Sequence, residues 1–311
     1  MTVVFAMILD AVIGEPKWLW DRLPHPAVLM GKTIAWAEAR MNHGNDRRAK
    51  GVALVIFLVV CALGLGTLLS AFGSVVEIIL GAILLAQRSL VDHVADVARA
   101  LRLSLEDGRE AVARIVGRDV KALDRSGVAR GAIESAAENL SDGVIAPVFW
   151  FMLLGLPGLL AYKIINTADS MIGYRNARYE EFGWAAARLD DLVNWPAARL
   201  TAALMSLAHW HRDAWRLAKR DAKLHRSPNA GWPEAAMASV LGVALSGPRS
   251  YDGTLRDEPF VNPEGRRDLD ADDIDTAVRA LWKAWAITFS FVLFIASAPV
   301  LAYIALALVI A

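Results

Sequence analysis

The chain has one cysteine, Cys61, in 311 residues, so an intramolecular disulfide and a cysteine-built zinc site are both excluded. Net charge is also missing: 33 Lys and Arg stand against 33 Asp and Glu, leaving no global pull toward nucleic acid. Charged residues are scarce, at 21% against 56% hydrophobic, and a mean hydropathy of +0.37 exceeds the apolar share of ordinary soluble domains and lies far from disorder. No repeat of fixed period and no low-complexity tract is present. What the chain has in quantity is uncharged sequence, and this predicts a bilayer.

Residues 51–72 follow Arg47, Arg48 and Lys50, carry no charge and are long enough to cross the hydrocarbon as a helix. Gly73-Ser74 turns the chain, and residues 75–86 are apolar apart from Glu77 and end at Gln87-Arg88, so 51–90 reads as a transmembrane hairpin. Basic residues at both mouths place them, and the polar loop after Arg88, in the cytoplasm. Residues 285–311 are uncharged, with Pro299 near the middle, and predict a C-terminal transmembrane helix. The segment before Asp10 is too short to span and lacks the features of a signal peptide, so it is read as part of the mature fold.

Residues 144–164 have the hydropathy of a span, but Gly155-Leu156-Pro157-Gly158 interrupts them. Broken backbone at membrane depth survives only where protein or water covers it. A re-entrant hairpin, which brings the polar segments on either side together, is favoured over a crossing. The fold expected is all-α and polytopic, with four to five membrane-embedded elements and helical cytosolic loops. It forms one catalytic domain over 1–311, whose site lies within 91–235. Residues 197–211 and 235–245 predict packed or interfacial helices, and 248–275 a surface loop.

Four polar constellations lie in that region. Glu134, Glu138 and Asp142 form one helical ridge with Ser135 and Asn139 beside it; such a ridge is either solvated, paired with arginine, or bridged by a hard cation such as Mg2+. Asn166, Asp169, Ser170, Gly173 and Tyr174 make a polar stripe, with Lys163 and Thr167 close by, facing either water or a site. Asp190, Asp191 and Asn194 share an edge that should end near Pro196, and Arg188 and Arg199 flank it, either as phosphate or carboxylate holders or in a salt-bridge network with the acids. The turn from His225 to Glu234 includes Ser227, Asn229 and Trp232; it is either an anion-binding helix start or a plain junction.

Other motifs fail. Gly31-Lys32-Thr33 lacks the P-loop's first glycine, since position 26 is proline. Gly64 and Gly66 fall inside a span and read as helix packing. Asp268, Asp270 and Asp272 open like a calcium loop, but Asp273 and Arg279 occupy its glycine and glutamate positions, so the run reads as a cap for the last helix. His209 and His211 have no third ligand nearby and read as interfacial.

Taken in order, Asp10 to Glu15-Pro16, His25-Pro26, ESAAENLSDGVIAPVFW, YKIINTADSMIGYRNARYEEFGWAAARLDDLVNWPAARLTA and HRSPNAGWPEAAMASVLGVAL resemble the CobD/CbiB family of adenosylcobinamide-phosphate synthases. The resemblance runs over nearly the whole chain and is densest from Glu134 to Glu234. It implies a multi-pass cytoplasmic-membrane ligase of cobalamin (vitamin B12) biosynthesis with its site toward the cytoplasm. The reaction would be ATP-dependent joining of adenosylcobyric acid, through its propionate carboxylate, to aminopropanol phosphate or a relative such as threonine phosphate or aminopropanol. Activating the carboxylate as an acyl phosphate needs Mg2+ held by carboxylates and cations spread over the phosphates.

The resemblance carries no residue-level roles, so the following assignment is our own. Glu138, Asp142, Lys163, Asp169, Asp190 and Asp191 are expected to be catalytic, and Glu134, Glu138, Asp190 and Asp191 to hold the metal. Ser135, Asn139, Asn166, Thr167, Ser170, Tyr174, Arg188, Asn194, Arg199, Ser227, Asn229 and Trp232 are expected to bind substrate or nucleotide. Trp150, Trp184, Trp195 and Trp232 are either walls for the corrinoid or interfacial anchors. Expected partners are the bilayer, the two substrates and other late-stage cobalamin enzymes, with no nucleic acid. The competing readings are an AmpE-like membrane signalling protein, which drops catalysis, and a small-molecule transporter, motivated by the broken helix.

Overall fold

The computed structural model describes residues 1–251 and 254–310, giving only the course of the backbone for 250–251, 254–255 and 299–310. Helices α1 (Thr2–Ile13), α2 (Lys17–Trp20) and α3 (Pro26–Met41) lead into α4 (Arg47–Ser70), and α5 (Ser74–Leu84) turns back. Then come α6 (Gln87–Leu103), α7 (Leu105–Val112), α8 (Arg125–Leu140), a π turn (Ser141–Ile145) and α9 (Ala146–Ile172). The chain continues through α10 (Trp184–Ala208), α11 (Arg212–Asp221), α12 (Gly231–Leu241) and α13 (Ala271–Ile310). Two antiparallel ribbons precede α13, β1 (Leu245–Ser246) with β4 (Phe260–Val261) and β2 (Arg249–Tyr251) with β3 (Thr254–Arg256).

Side-chain caps set several helix starts. Asp124 accepts from the Gly127 N–H, Ser104 from that of Asp107, and Asp270 from those of Asp272 and Asp273, so the acidic run does cap the last helix. The break at Leu85-Ala86 is held from a distance: the Asp10 carboxylate, 3% exposed, accepts the Gln87 N–H at 3.0 Å and so caps α6 from α1.

Two cores follow from these packings. One is built by α1, α3, α4, α5, α9 and the start of α10, and Ile56, Phe57, Val60 and Leu68 on α4 are exposed beside it. That exposed apolar face fits hydrocarbon. The other, from α6, α7, α8, α11, α12 and the start of α13, forms a cap. The chain is thus an all-α polytopic membrane protein. Arg47–Ser70, Ser74–Leu103, Arg125–Ile172 and Ala271–Ala298 are long and apolar enough to cross a bilayer.

The third of these does not run straight. Gly155 adopts φ 66, ψ −159, a conformation open in practice only to glycine, and Pro157 follows it. The Tyr162 hydroxyl donates to the Asp142 carbonyl at 2.8 Å across 20 residues, where an unbroken helix would separate them by about 30 Å. Residues 146–172 therefore form a re-entrant hairpin. Its descending limb, residues 146–154, is about 14 Å long, roughly half the hydrocarbon thickness. The bend rests on α4, where a Cβ on Gly66 would lie 2.4 Å from Pro157 Cα, so Gly66 is the close-packing glycine, whereas a Cβ on Gly64 would meet nothing within 4 Å.

Two expectations are corrected. Pro196 does not end a helix, because α10 runs through it; the Trp150 indole donates to the Val193 carbonyl and the Asn229 amide to the Asp191 carbonyl, satisfying backbone around the proline. The stretch 248–275 is not a plain loop: its described part holds the ribbons, and α13 begins within it, ahead of Trp285. The expectation for Pro299 and the end of the C-terminal span falls on side chains outside the described residues.

Candidate active site

At the seam between the two cores lies an open cavity of about 1250 Å³. The π turn and the two hairpin limbs bring its parts together. Glu138 comes from α8, Asp142 from the π turn, Asp169 from the returning limb, and Asp190 and Asp191 from α10; all five line the cavity, and Glu138 also lies in the field of Glu234, His225, Arg249 and Arg226. Tyr162 locks this arrangement, since its hydroxyl meets both the Asp142 carbonyl and the Asn194 carboxamide oxygen, at 2.8 and 2.9 Å. Asn166 donates to Asp190 at 3.3 Å. Among the described residues, none of the five acids makes an ion pair. Burial pushes Asp190 up to about 6 and also raises Asp191, against the pull of Arg188 and Arg175.

The opposite side is basic and interlocked. Glu134 pairs with Arg118 at 2.9 Å and Arg249 at 3.3 Å and accepts the Ser246 N–H at 2.6 Å. Arg249 also lies 3.6 Å from Glu234 and 3.9 Å from Glu258. Burial pushes Glu234 up to about 8. His225, lowered by burial, accepts the Ser227 N–H on Nδ1, which leaves Nε2 to carry the proton facing Glu234. Arg226 and Arg256 complete this pole.

The cavity gathers much of what the sequence singled out. The whole stripe of Asn166, Asp169, Ser170, Gly173 and Tyr174 lines it, as do Ser135, Asn139, Asn194, Ser227 and Asn229. Other expected residues lie off the wall of this cavity or are engaged elsewhere. Glu134, expected to hold metal, is enclosed by two guanidiniums and a backbone donor because its turn of α8 faces Arg118 and β1 rather than the acidic side. Lys163 is not on the cavity wall; it lies in the field of Glu15, Asp142 and Asp10 behind the hairpin. Thr167 turns its hydroxyl onto the Lys163 carbonyl, and Arg188 lines a smaller neighbouring cavity. Arg199 sits over the Trp195 and Trp232 rings and donates to Asn229, bracing the loop from outside. Trp150, Trp195 and Trp232 are absent from the large cavity's wall, and Trp184 lines only the smaller one. Arg118, Arg249, Arg256 and Glu258 also line the cavity, and no motif or helical spacing in the sequence announces them.

No group of three or more His, Cys, Asp or Glu side chains among the described residues is close enough to hold a metal ion alone. Mg2+ needs only one or two carboxylates when phosphate oxygens and water complete its shell, so the acidic side suits a magnesium–phosphate ligand better than a closed protein site.

Fold and cavity thus define a polytopic helical membrane protein with a polarised polar chamber at the membrane boundary. A family model described as CobD/Cbib protein matches residues 3–281. The chain is 50% identical over 302 residues to the cobalamin biosynthesis protein CobD of Sinorhizobium fredii, covering 91% of this chain and 93% of that one. It is 49% identical over 311 residues to the Rhizobium meliloti protein of the same name, with 94% and 95% covered. Against the Rhodobacter capsulatus protein the identity is 48% over 269 residues, with 84% and 86% covered. No solved structure matches. The chain belongs to the CobD/CbiB family.

Proposed function

We propose that the protein is a ligase of cobalamin biosynthesis that joins adenosylcobyric acid to aminopropanol phosphate, or a close relative, at the expense of ATP. In the first step a carboxylate oxygen of the corrinoid attacks the γ-phosphorus and ADP leaves. In the second, the amine nitrogen attacks the acyl carbon, the C–N bond forms and inorganic phosphate departs. The observation that carries this reading is the row of five acids without cation partners, facing a chamber of about 1250 Å³ whose other pole is arginine-rich. One or two of Glu138, Asp142, Asp169 and Asp190 would hold Mg2+ together with phosphate oxygens, and the ion would neutralise those oxygens and polarise the transferred phosphoryl group. Arg226 and Arg256 face the phosphates, and the two cores act as one catalytic unit. Arg47, Arg48 and Lys50 open α4, and Arg88 opens α6 just after α5, a basic flanking that supports a cytoplasmic-membrane protein with this end of the spans toward the cytoplasm.

The test is turnover by the purified full-length protein given adenosylcobyric acid, aminopropanol phosphate, Mg2+ and ATP. One amide should form per ADP and phosphate released. No product, or product without nucleotide consumption, overturns the reading.

A further inference from the structure

Beside the large chamber lies a smaller one of about 300 Å³, at the lower end of the range for small-molecule sites. The two share Gly173, Tyr174, Arg175, Tyr179, Ala187 and Asp191, so the smaller one is a side recess of the larger, with Asp191 among the residues at the passage. Trp184, Arg188 and Asp191 follow one another at helical spacing along the first turns of α10. Arg48, stacked 3.9 Å over the Trp184 ring, holds that indole in place.

The charges here are unusual for being unengaged. Nearby arginines are committed: Arg178 forks onto Glu38 at 3.0 and 2.9 Å, and Arg47 pairs with Glu181 at 2.9 Å. Arg175 and Arg188, among the described residues, make no hydrogen bond or ion pair, yet both act electrostatically on Asp191. Two uncommitted guanidiniums stand around a small chamber that the carboxylates of Asp191 and Glu180 also line, giving a receptor with one end for an anionic group and another for a cationic one.

We infer that this smaller chamber is the subsite for the amine in its phosphorylated form, with Arg175 and Arg188 on the phosphate and Asp191 on the ammonium at the mouth of the large chamber. The inference rests on the ligase reading for the identity of the amine. It also explains how a phosphorylated amine is chosen over a plain one, which would leave both guanidiniums unneutralised.

The experiment is calorimetric titration of the full-length protein in phosphatidylcholine nanodiscs with 1-amino-2-propanol phosphate, 1-amino-2-propanol, inorganic phosphate and ATP as separate ligands. The amine phosphate should bind at least about tenfold tighter than either fragment. Arg175→Gln and Arg188→Gln should each weaken it about tenfold or more, with affinity for the plain amine and for ATP unchanged. Unaltered binding of the amine phosphate in both variants, or loss of ATP instead, overturns the inference. Wild-type protein supplies a second measurement: the amine phosphate should protect Arg175 and Arg188 from phenylglyoxal, read by mass spectrometry, and absence of protection counts against the site. Phosphatidylethanolamine carries the same phosphate and ammonium; nanodiscs containing it should leave the free ligand's affinity intact, and a loss there would make the lipid headgroup the occupant. Since binding is read without turnover, a failed amide assay removes the ligase reading and leaves these titrations to decide the subsite.

Discussion

Glu134→Gln separates a metal ligand from a structural carboxylate. Glu134 is held by Arg118 at 2.9 Å, Arg249 at 3.3 Å and the Ser246 N–H at 2.6 Å, with all three ion-paired side chains 6–8% exposed. Glutamine keeps an oxygen for Ser246 but removes the charge facing two buried guanidiniums and sets an amide N–H2 against one of them. Breaking one partner out of a buried ion pair costs about 3–5 kcal/mol, and Glu234 and Glu258 offer Arg249 partial compensation at 3.6 and 3.9 Å, so the lower part of that range applies. Chemical unfolding in detergent, followed beside wild type, should show this loss. The magnesium concentration giving half-maximal turnover should stay unchanged, while Asp190→Asn should raise it. If Glu134→Gln keeps wild-type stability and shifts the magnesium requirement as much as Asp190→Asn does, the carboxylate is a metal ligand and the geometric reasoning is wrong.

Asp190 titrates near 6 instead of 3.8, so the ligand-free native state holds its proton more tightly than the unfolded chain. That contribution to stability is complete below pH 3.8 and is lost as pH rises through about 6; magnesium-ATP affinity runs the opposite way, weakening as pH falls through 6, and both trends should flatten in Asp190→Asn. Tyr162→Phe removes the single O–H shared between the Asp142 carbonyl and the Asn194 carboxamide oxygen and should cost about 1–3 kcal/mol in unfolding experiments, together with most of the turnover; wild-type behaviour would mean that the hydroxyl does not lock the hairpin base. Gly66→Leu drives a side chain into Pro157 and should destabilise the protein by at least about 2 kcal/mol, whereas Gly64→Leu, pointing into open space, should not. With Cys61→Ser as background, cysteines at Asn139 and Ser170 should react with an impermeant maleimide from one face of sealed vesicles and a cysteine at Gly73 from the other. Labelling of 139 and 170 from opposite faces rules out the re-entrant hairpin.

Much of this architecture was legible in the sequence because the membrane imposes strong, local patterns. The uncharged run of α4, the turn at Gly73 and the break at Gly155-Pro157 all announce themselves, and the spacing from Asn166 to Tyr174 correctly isolates one face of a helix. What it does not announce is pairing across distance. Glu134 shares a ridge with Glu138, but whether it meets a cation or a guanidinium depends on Ser246 and Arg249, more than a hundred positions away. Pro196 misleads for a related reason: local rules end a helix there, while Trp150 and Asn229, from other elements, satisfy the carbonyls around it. The strands β1 to β4 are two or three residues long, too short for any alternation to show.

The re-entrant limb stops partway through the lipid, and Pro157 seats on Gly66 with no space for even a methyl group between them. The hydrophilic interior is therefore a blind recess: it opens toward one aqueous compartment and is stoppered against the other. A cell can fill its membrane with such molecules without short-circuiting its proton gradient.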